Sequence, residues 1–363
     1  MCACGAPVGS TRLDVPLLLG HPLATPREPE IPMSRTYDVL TIGNAIVDVI
    51  ARCEEDFLQK QGVVKGSMTL IDEDRAEAIY AAMGPATIIS GGSAANTGVG
   101  AASFGARSAF IGKVKADSVG DLFAHDIVAS GVAFGTRQAV DGKATARSFI
   151  LVTPDGERTM NTFLGACQDL TEADIDPATV QAAAVTYLEG YLWDPPAAKL
   201  AFRKAADLAH AAGREVALTL SDSFCVDRYR SEFRQLIDSG MVDLVFANEH
   251  ELKALYETAD FDTALEALRG RAKRAAVTRS EKGAVIIEGK TTVAVPAYPI
   301  ETLEDATGAG DAFAAGFLFG YTAGLGYEKA GRLGTLAASH VIQKLGARPA
   351  HSLKILAQEN GLI

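Results

Sequence analysis

Residues 304–324 read EDATGAGDAFAAGFLFGYTAG, a glycine turn that runs directly into a helix of small residues. Gly308, Ala309 and Gly310 make the turn, and the helix is expected to start near Asp311. Residues this small let consecutive backbone N–H groups point at one spot, and the positive end of the helix dipole adds to them. The result is an anion hole with a carboxylate on the first helical turn beside it. In a phosphoryl transfer the amides would hold charge developing on the moving group, while Asp311 takes the proton of an attacking hydroxyl. The plainer reading is a glycine loop capped by Asp311. The length of the run favours chemistry, with Asp305 and Thr307 ahead of the turn and closely packing residues behind it.

Outward from this stretch, strands and helices alternate. YDVLTIG (37–43), SMTLI (67–71), SAFIGKV (108–114), VTYLEGYLW (185–193), REVALTLS (214–221), VDLVFAN (242–248) and RAAVTRS (274–280) are apolar, β-branched runs expected as strands. Helical segments separate most of them, among them 72–83 and the small-residue run 93–105. Such alternation implies an α/β fold, a mostly parallel sheet covered by helices on both faces. SFILVTPDGERTMNTF (148–163) breaks the pattern: two strands joined by a Pro-Asp-Gly turn make a hairpin. A small β appendage is therefore expected from about 45–71 and 135–163, set in a domain spanning 37–363.

Residues 1–36 hold six of the 14 prolines and no helical or strand period, so a disordered tail is expected there. Ordered patterning begins only at Tyr37, which leaves Met33 as a candidate start. Hydrophobic residues at 48% and charged residues at 22% suit a soluble protein with a large core. The net charge of −11 argues against a nucleic-acid polymer as partner, since phosphates need a basic face. Apolar runs fall short of a membrane span. Five scattered cysteines without a C-x-x-C pair suggest free thiols in a reducing compartment, the cytoplasm.

The GAGD turn after D-x-T, followed by DAFAAGF, resembles the C-terminal signature of the ribokinase-like (PfkB) carbohydrate and nucleoside kinase family. SGGSAANTGVGAASFGARSAFIGKVKADSVGDLF (90–123) resembles its N-terminal signature, and Asn248-Glu249-His250-Glu251 its N-x-x-E element. The resemblance runs over about 37–350. It implies a three-layer sandwich with a small β lid, ATP and Mg²⁺ as cofactors, Asp311 as catalytic base and Gly308, Ala309 and Gly310 as anion hole. For the acceptor it implies Asn44, Asp48, Gly91, Gly92, Ser93 and Asn96. Gly91 and Gly92 would let the backbone approach a sugar, and Asn96 offers a donor and an acceptor. Asn44 and Asp48, four apart, would share one face of the opening strand. For the nucleotide it implies Asn248, Thr278, Ser280, Gly283, Thr307, Gly308 and Gly310, with Glu251 organising Mg²⁺ through water. Asp305 becomes a candidate ligand for a monovalent cation such as K⁺.

Two departures stand out: Thr278-Arg279-Ser280 replaces the Thr-x-Gly frequent near the nucleotide, and Ala306 stands where Thr is common. TIGNAIVDVIA (41–51), KGSMTLIDED (65–74) and GERTMNTFLGA (156–166) lean toward the bacterial adenosine-kinase-like members. The expectation is phosphorylation of the 5′-hydroxyl of adenosine or a related nucleoside by a monomer or homodimer, with Phe149, Phe163, Tyr191, Leu192 and Phe224 as candidate walls for a base. A free sugar such as ribose or fructose is the alternative, and a non-catalytic binding protein on the same fold is the reading from another class. AVIIEGKT (284–291) lacks the first glycine of a P-loop, and HELKA (250–254) lacks the second histidine of a zinc-protease helix. No complete G-x-G-x-x-G supports a dehydrogenase.

Overall fold

The computed structural model describes Met1, Cys2, Gly5 and residues 36–363. The chain divides into two units, Met1–Pro32 and Met33–Ile363, and the second carries all the strands and helices described. The expected tail lies outside the described residues apart from Met1, Cys2, Gly5 and Thr36.

The opening run forms β1 (Tyr37–Ile42) and continues, after a break at Gly43–Ala45, as β2 (Ile46–Arg52). Then follow β3 (Met68–Leu70), β4 (Thr87–Gly91), β5 (Ser108–Ile111), β6 (Val132–Phe134), β7 (Ala146–Val152) and β8 (Arg158–Phe163). β9 (Ala183–Glu189), β10 (Glu215–Thr219), β11 (Leu244–Asn248), β12 (Arg274–Thr278), β13 (Ala284–Glu288) and β14 (Thr291–Val295) complete the set. Nine strands form the main sheet in the order β14-β13-β12-β11-β10-β9-β1-β5-β6. It is parallel except for β13, which runs antiparallel to both neighbours. Central strands such as β1 are buried on both faces, so their sequence is apolar without alternation.

Each face of this sheet carries its own core. Leu40, Ile42 and Leu218 pack with Trp193, Phe202 and Phe233 on one side. Val39 and Phe246 pack with Ala94, Phe110 and Phe317 on the other. The second side is where the small residues matter. A Cβ on Gly100 would lie 2.7 Å from the Cβ of Ala315, so helices Ser93–Phe104 and Ala309–Thr322 approach as closely as their glycines permit. That contact sets the first turns of the two helices beside one another.

The remaining strands form a second, five-stranded sheet in the order β3-β8-β7-β2-β4. It draws on the expected segments and also on β4, which sequence placed outside the appendage. Most of 135–145 is irregular rather than strand. The expected strand 185–193 likewise stops at Glu189 and tightens into a 3₁₀ turn, Gly190–Trp193. Among the described residues no helix is long and apolar enough to cross a membrane, and the four described cysteines are free.

Candidate active site

The site lies where parallel strands of the main sheet end. Asn44 follows β1, Glu189 closes β9, Asn248 closes β11 and Thr278 closes β12. Ligands in open α/β sheets bind outside such carboxyl ends. From β1 to β12 the sheet order crosses four inter-strand spacings, about 19 Å at ~4.8 Å each, enough to lay two substrates end to end.

The helix carrying Asp311 begins at Ala309, two residues earlier than expected, with Gly308 as its N-cap. Gly308 has φ +77°, and an added Cβ would sit 2.5 Å from that of Ala347, so glycine is required twice over. The N–H groups of Gly308, Gly310 and Asp311 take no partner among the described residues, and the space around Gly310 is open. These free donors at a helix N-terminus are the geometry of an anion hole.

Asp311 accepts a 2.6 Å hydrogen bond from Ser93 Oγ and a 3.4 Å one from Asn96 Nδ2. Burial pushes its carboxyl up to about 6, against those two hydrogen bonds, which pull it down. Asp48, on β2, is also raised to about 6; burial dominates, Arg348 and Arg158 oppose it, and Asp311 adds to it. An added Cβ on Gly91 would meet Asp48 Oδ2 at 2.4 Å, so that glycine makes room for the carboxylate. Gly92, at φ +96°, is pressed against the Asn44 carbonyl in the same way.

Asn44 and Asp48 do not share a strand face. The chain breaks at Gly43–Ala45, leaving Asn44 at the main sheet and Asp48 in the second one. Asn44 is instead fixed by Glu189: its Nδ2 donates to Glu189 Oε1 at 2.6 Å, and Cys167 Sγ donates to its Oδ1 at 3.0 Å. Glu189, 1% exposed, also accepts from Ala94 N–H at 2.8 Å. Burial raises its carboxyl to about 7, with Ala94 and Asn44 opposing. Nothing local in the sequence marks Glu189 or Cys167 as site residues, because each meets Asn44 only through the fold.

On the nucleotide side Asn248 and Glu251 form a closed capping box. Asn248 Oδ1 accepts from Glu251 N–H, and Glu251 accepts from both the backbone N–H and Nδ2 of Asn248. Burial and the charge of Asp222 raise Glu251 to about 7, while Asn248 holds it down. No three His, Cys, Asp or Glu converge as a metal cluster among the described residues. Thr278 and Ser280 lie at the exit of β12, and Gly283 is packed against the chain at 295–297, where Val295 O would be 2.0 Å from its Cβ.

Asp305, the candidate cation ligand, is tied to a side chain and to two backbone N–H groups. Its carboxylate pairs with Arg158 from β8 and accepts N–H bonds from Gly346 at 2.8 Å and Thr307 at 3.0 Å. Arg158 thus takes one oxygen of the carboxylate that is the candidate cation ligand. Two of the expected base walls, Phe149 and Phe163, lie on the other face of their sheet. Strand neighbours alternate faces, so Phe149, Arg147 and Phe163 point away from Asp48, and Phe149 packs on Tyr80 at 6.1 Å. Leu192 is part of the core. Tyr191 and Phe224 stay 41% and 82% exposed, and on the Asp48 face Met68 and Leu70 are each 52% exposed with Met160 beside them.

The family described as pfkB family carbohydrate kinase matches residues 38–353. In structure the chain is similar to the adenosine kinase from Sinorhizobium meliloti: 57% identity, TM-score 0.84, covering 90% of this chain and 99% of that one. It is similar also to a probable sugar kinase protein from Rhizobium etli CFN 42, with 53% identity, TM-score 0.85, and 91% and 100% of the two chains covered. The adenosine kinase of Saccharomyces cerevisiae is 27% identical over 334 residues, 86% of this chain and 96% of that one.

Proposed function

The chain belongs to the pfkB family of carbohydrate kinases, and from that premise we propose that it transfers the γ-phosphoryl group of ATP to the 5′-hydroxyl of adenosine or a related nucleoside. The observation that carries the reading is Asp311: a raised carboxylate on a helix first turn with unpartnered N–H groups, touching Ser93 and Asn96. The likeness to the Sinorhizobium meliloti adenosine kinase at 57% identity supports the nucleoside.

In this reading Asp48 and Asn96 hold the ribose hydroxyls and Asn44, fixed by Glu189, closes the other side. The acceptor hydroxyl is thereby aimed at Asp311. As its oxygen bonds to the γ-phosphorus, the proton passes to Asp311 and the bond to the ADP oxygen breaks. The N–H groups of Gly308, Gly310 and Asp311 take up the charge on the transferring oxygens. Asn248, Thr278, Ser280 and Gly283 lie along the nucleotide side. Mg²⁺ fits as an ion kept largely hydrated: Glu251 and Asp222, whose charges act on one another, would hold it through water, and when bound it would neutralise phosphate charge. The second sheet acts as a lid that shuts water out, because ATP in an open site would be hydrolysed.

The base needs apolar walls, and Met68, Leu70 and Met160 on the Asp48 face supply them together with Tyr191 and Phe224. ADP formation with adenosine, cytidine, ribose and fructose tests the assignment. Adenosine should exceed ribose in kcat/KM by at least about tenfold, roughly 1.4 kcal/mol. Asp48→Ala should weaken every acceptor, and Leu70→Ala should penalise the nucleosides and spare the free sugars. Ribose or fructose as the better substrate removes the nucleoside and leaves the chemistry at Asp311.

The pH dependence follows from the two carboxyls near 6. A raised carboxyl is ionised, and so competent as base or hydroxyl acceptor, only above its pKa. Log(kcat/KM) should be level above about pH 7 and fall below about pH 6, with a limiting slope approaching 2 because both groups must be ionised. Asp48→Asn should reduce that slope to 1. An acid limb that begins only near pH 4 would mean that neither carboxyl is raised in the working enzyme.

A further inference from the structure

The last loop before the C-terminal helix places a guanidinium behind the acceptor site. Arg348, 13% exposed in its side chain, is held at three points. Its Nη1 donates to Asp126 Oδ2 at 3.0 Å, its Nη2 to Ser90 Oγ at 2.7 Å and its Nε to Asn96 Oδ1 at 3.3 Å. Ser90 in turn donates its N–H and hydroxyl to Asp126, which closes the network between β4 and helix Ser118–Ala129. The two preceding residues bear on the other half of the site: Gly346 N–H donates to Asp305, and Ala347 packs on Gly308.

We infer that Arg348 is a positioning residue of the phosphoryl-transfer site, fixing the Asn96 amide with its carbonyl on the guanidinium and its NH₂ toward Asp311. An asparagine amide has two nearly isosteric orientations, and its neighbours choose between them. Asn96 is 7% exposed, so water cannot make the choice. Turned over, it would set its NH₂ against the guanidinium and its carbonyl against the Asp311 carboxylate, two repulsive contacts in a buried place. A rigid planar fork anchored on Ser90 and Asp126 holds that choice; a lysine, with one mobile charge, would not.

The same cation stands near Asp48. The charged groups around that carboxylate are Arg348 from the loop, Arg158 from β8 and Asp311 from its helix, with Asp126 beside Arg348. Of these Arg348 opposes the burial of the Asp48 charge most strongly. Loss of its charge therefore moves the acid limb of the rate profile to higher pH.

The inference rests on the acceptor-site reading above, so the test uses whichever acceptor the wild-type protein turns over fastest. A wrong nucleoside assignment then leaves it intact. Arg348→Met should lower kcat/KM for the acceptor by about tenfold or more and leave KM for ATP within about twofold. Measured well above the acid limb, at about pH 8, the same change in an Asn96→Ala background should add less than about twofold, because there its effect passes through the amide alone. Arg348→Lys should keep the wild-type acid limb but retain the acceptor defect. A purely structural role predicts equal losses in both backgrounds that track melting temperature, and that outcome overturns the inference, as does an Arg348→Met enzyme within twofold of wild type. Should Arg348→Met not fold, the Arg348→Lys and Asn96→Ala cycle decides by the same comparison.

Discussion

Replacing Asp311 by Asn is expected to lower kcat by about 10²–10⁴-fold, roughly 3–5 kcal/mol of barrier, with little change in acceptor KM. The amide keeps the shape and can satisfy its neighbours: its carbonyl accepts from Asn96 Nδ2, and its NH₂ donates to Ser93 Oγ. What it cannot do is take a proton. Stability should move the other way. The folded-state carboxyl is raised to about 6 from an ordinary 3.8, so its favourable contribution is complete only below the unfolded value and is lost as pH rises through about 6. At pH 7–8 the native protein carries an ionised, buried carboxylate that the variant lacks. Thermal melting at pH 7.5 should therefore give Asp311→Asn a Tm equal to or above wild type. A collapse of kcat with a lower Tm would point to unfolding instead of chemistry, and near-normal turnover would remove Asp311 as base.

The parts of this site that could be read from sequence are those made by neighbours in the chain. The turn at 308–310, Asp311 and the Ser93–Asn96 turn are local arrangements, and their residue types dictate their geometry. The start of the helix was misplaced by two residues because Ala309 and Gly310 serve equally well as turn or first helical turn. YDVLTIGNAIVDVIA gives no period that marks the break at Gly43, so Asn44 and Asp48 read as one strand although they belong to two sheets. β7 is buried along its whole length, which erases the alternation that would have told Phe149 from Ser148 as a site-facing residue. Arg158, Glu189 and Arg348 act across separations of 147, 95 and 252 residues. No spacing rule reaches that far: a buried guanidinium and a surface one look alike in sequence, and only the fold decides which carboxylate each meets.

The Arg158–Asp305 pair shows what such a long-range contact controls. The side chains are 8% and 3% exposed, so Arg158→Met would strand the Asp305 carboxylate with only the Gly346 and Thr307 N–H groups. Removing one partner of a buried pair costs about 3–5 kcal/mol, because the other charge stays desolvated. The second sheet offers an escape, since it can swing away and let water reach Asp305; the loss is then limited to the free energy of that local opening. Arg158→Met is accordingly expected to make 45–71 and 135–163 markedly more sensitive to protease and to lower Tm by several degrees at most. Turnover should suffer more, by about 10²-fold, because the chain from Asp305 leads into Gly308 and small displacements of positioned groups are costly. Adding Asp305→Asn removes the stranded charge as well, so protease resistance should return toward wild type while kcat stays low. Recovery of both would make the pair a purely structural contact, and an Arg158→Met protein with wild-type protease sensitivity and kcat would mean that the pair ties nothing together. The expected split, in which stability is restored and turnover is not, identifies the guanidinium as a positioning group for the anion-binding turn: with the Asp305 charge removed the lid sheet stays closed without it, but the turn is no longer held from β8.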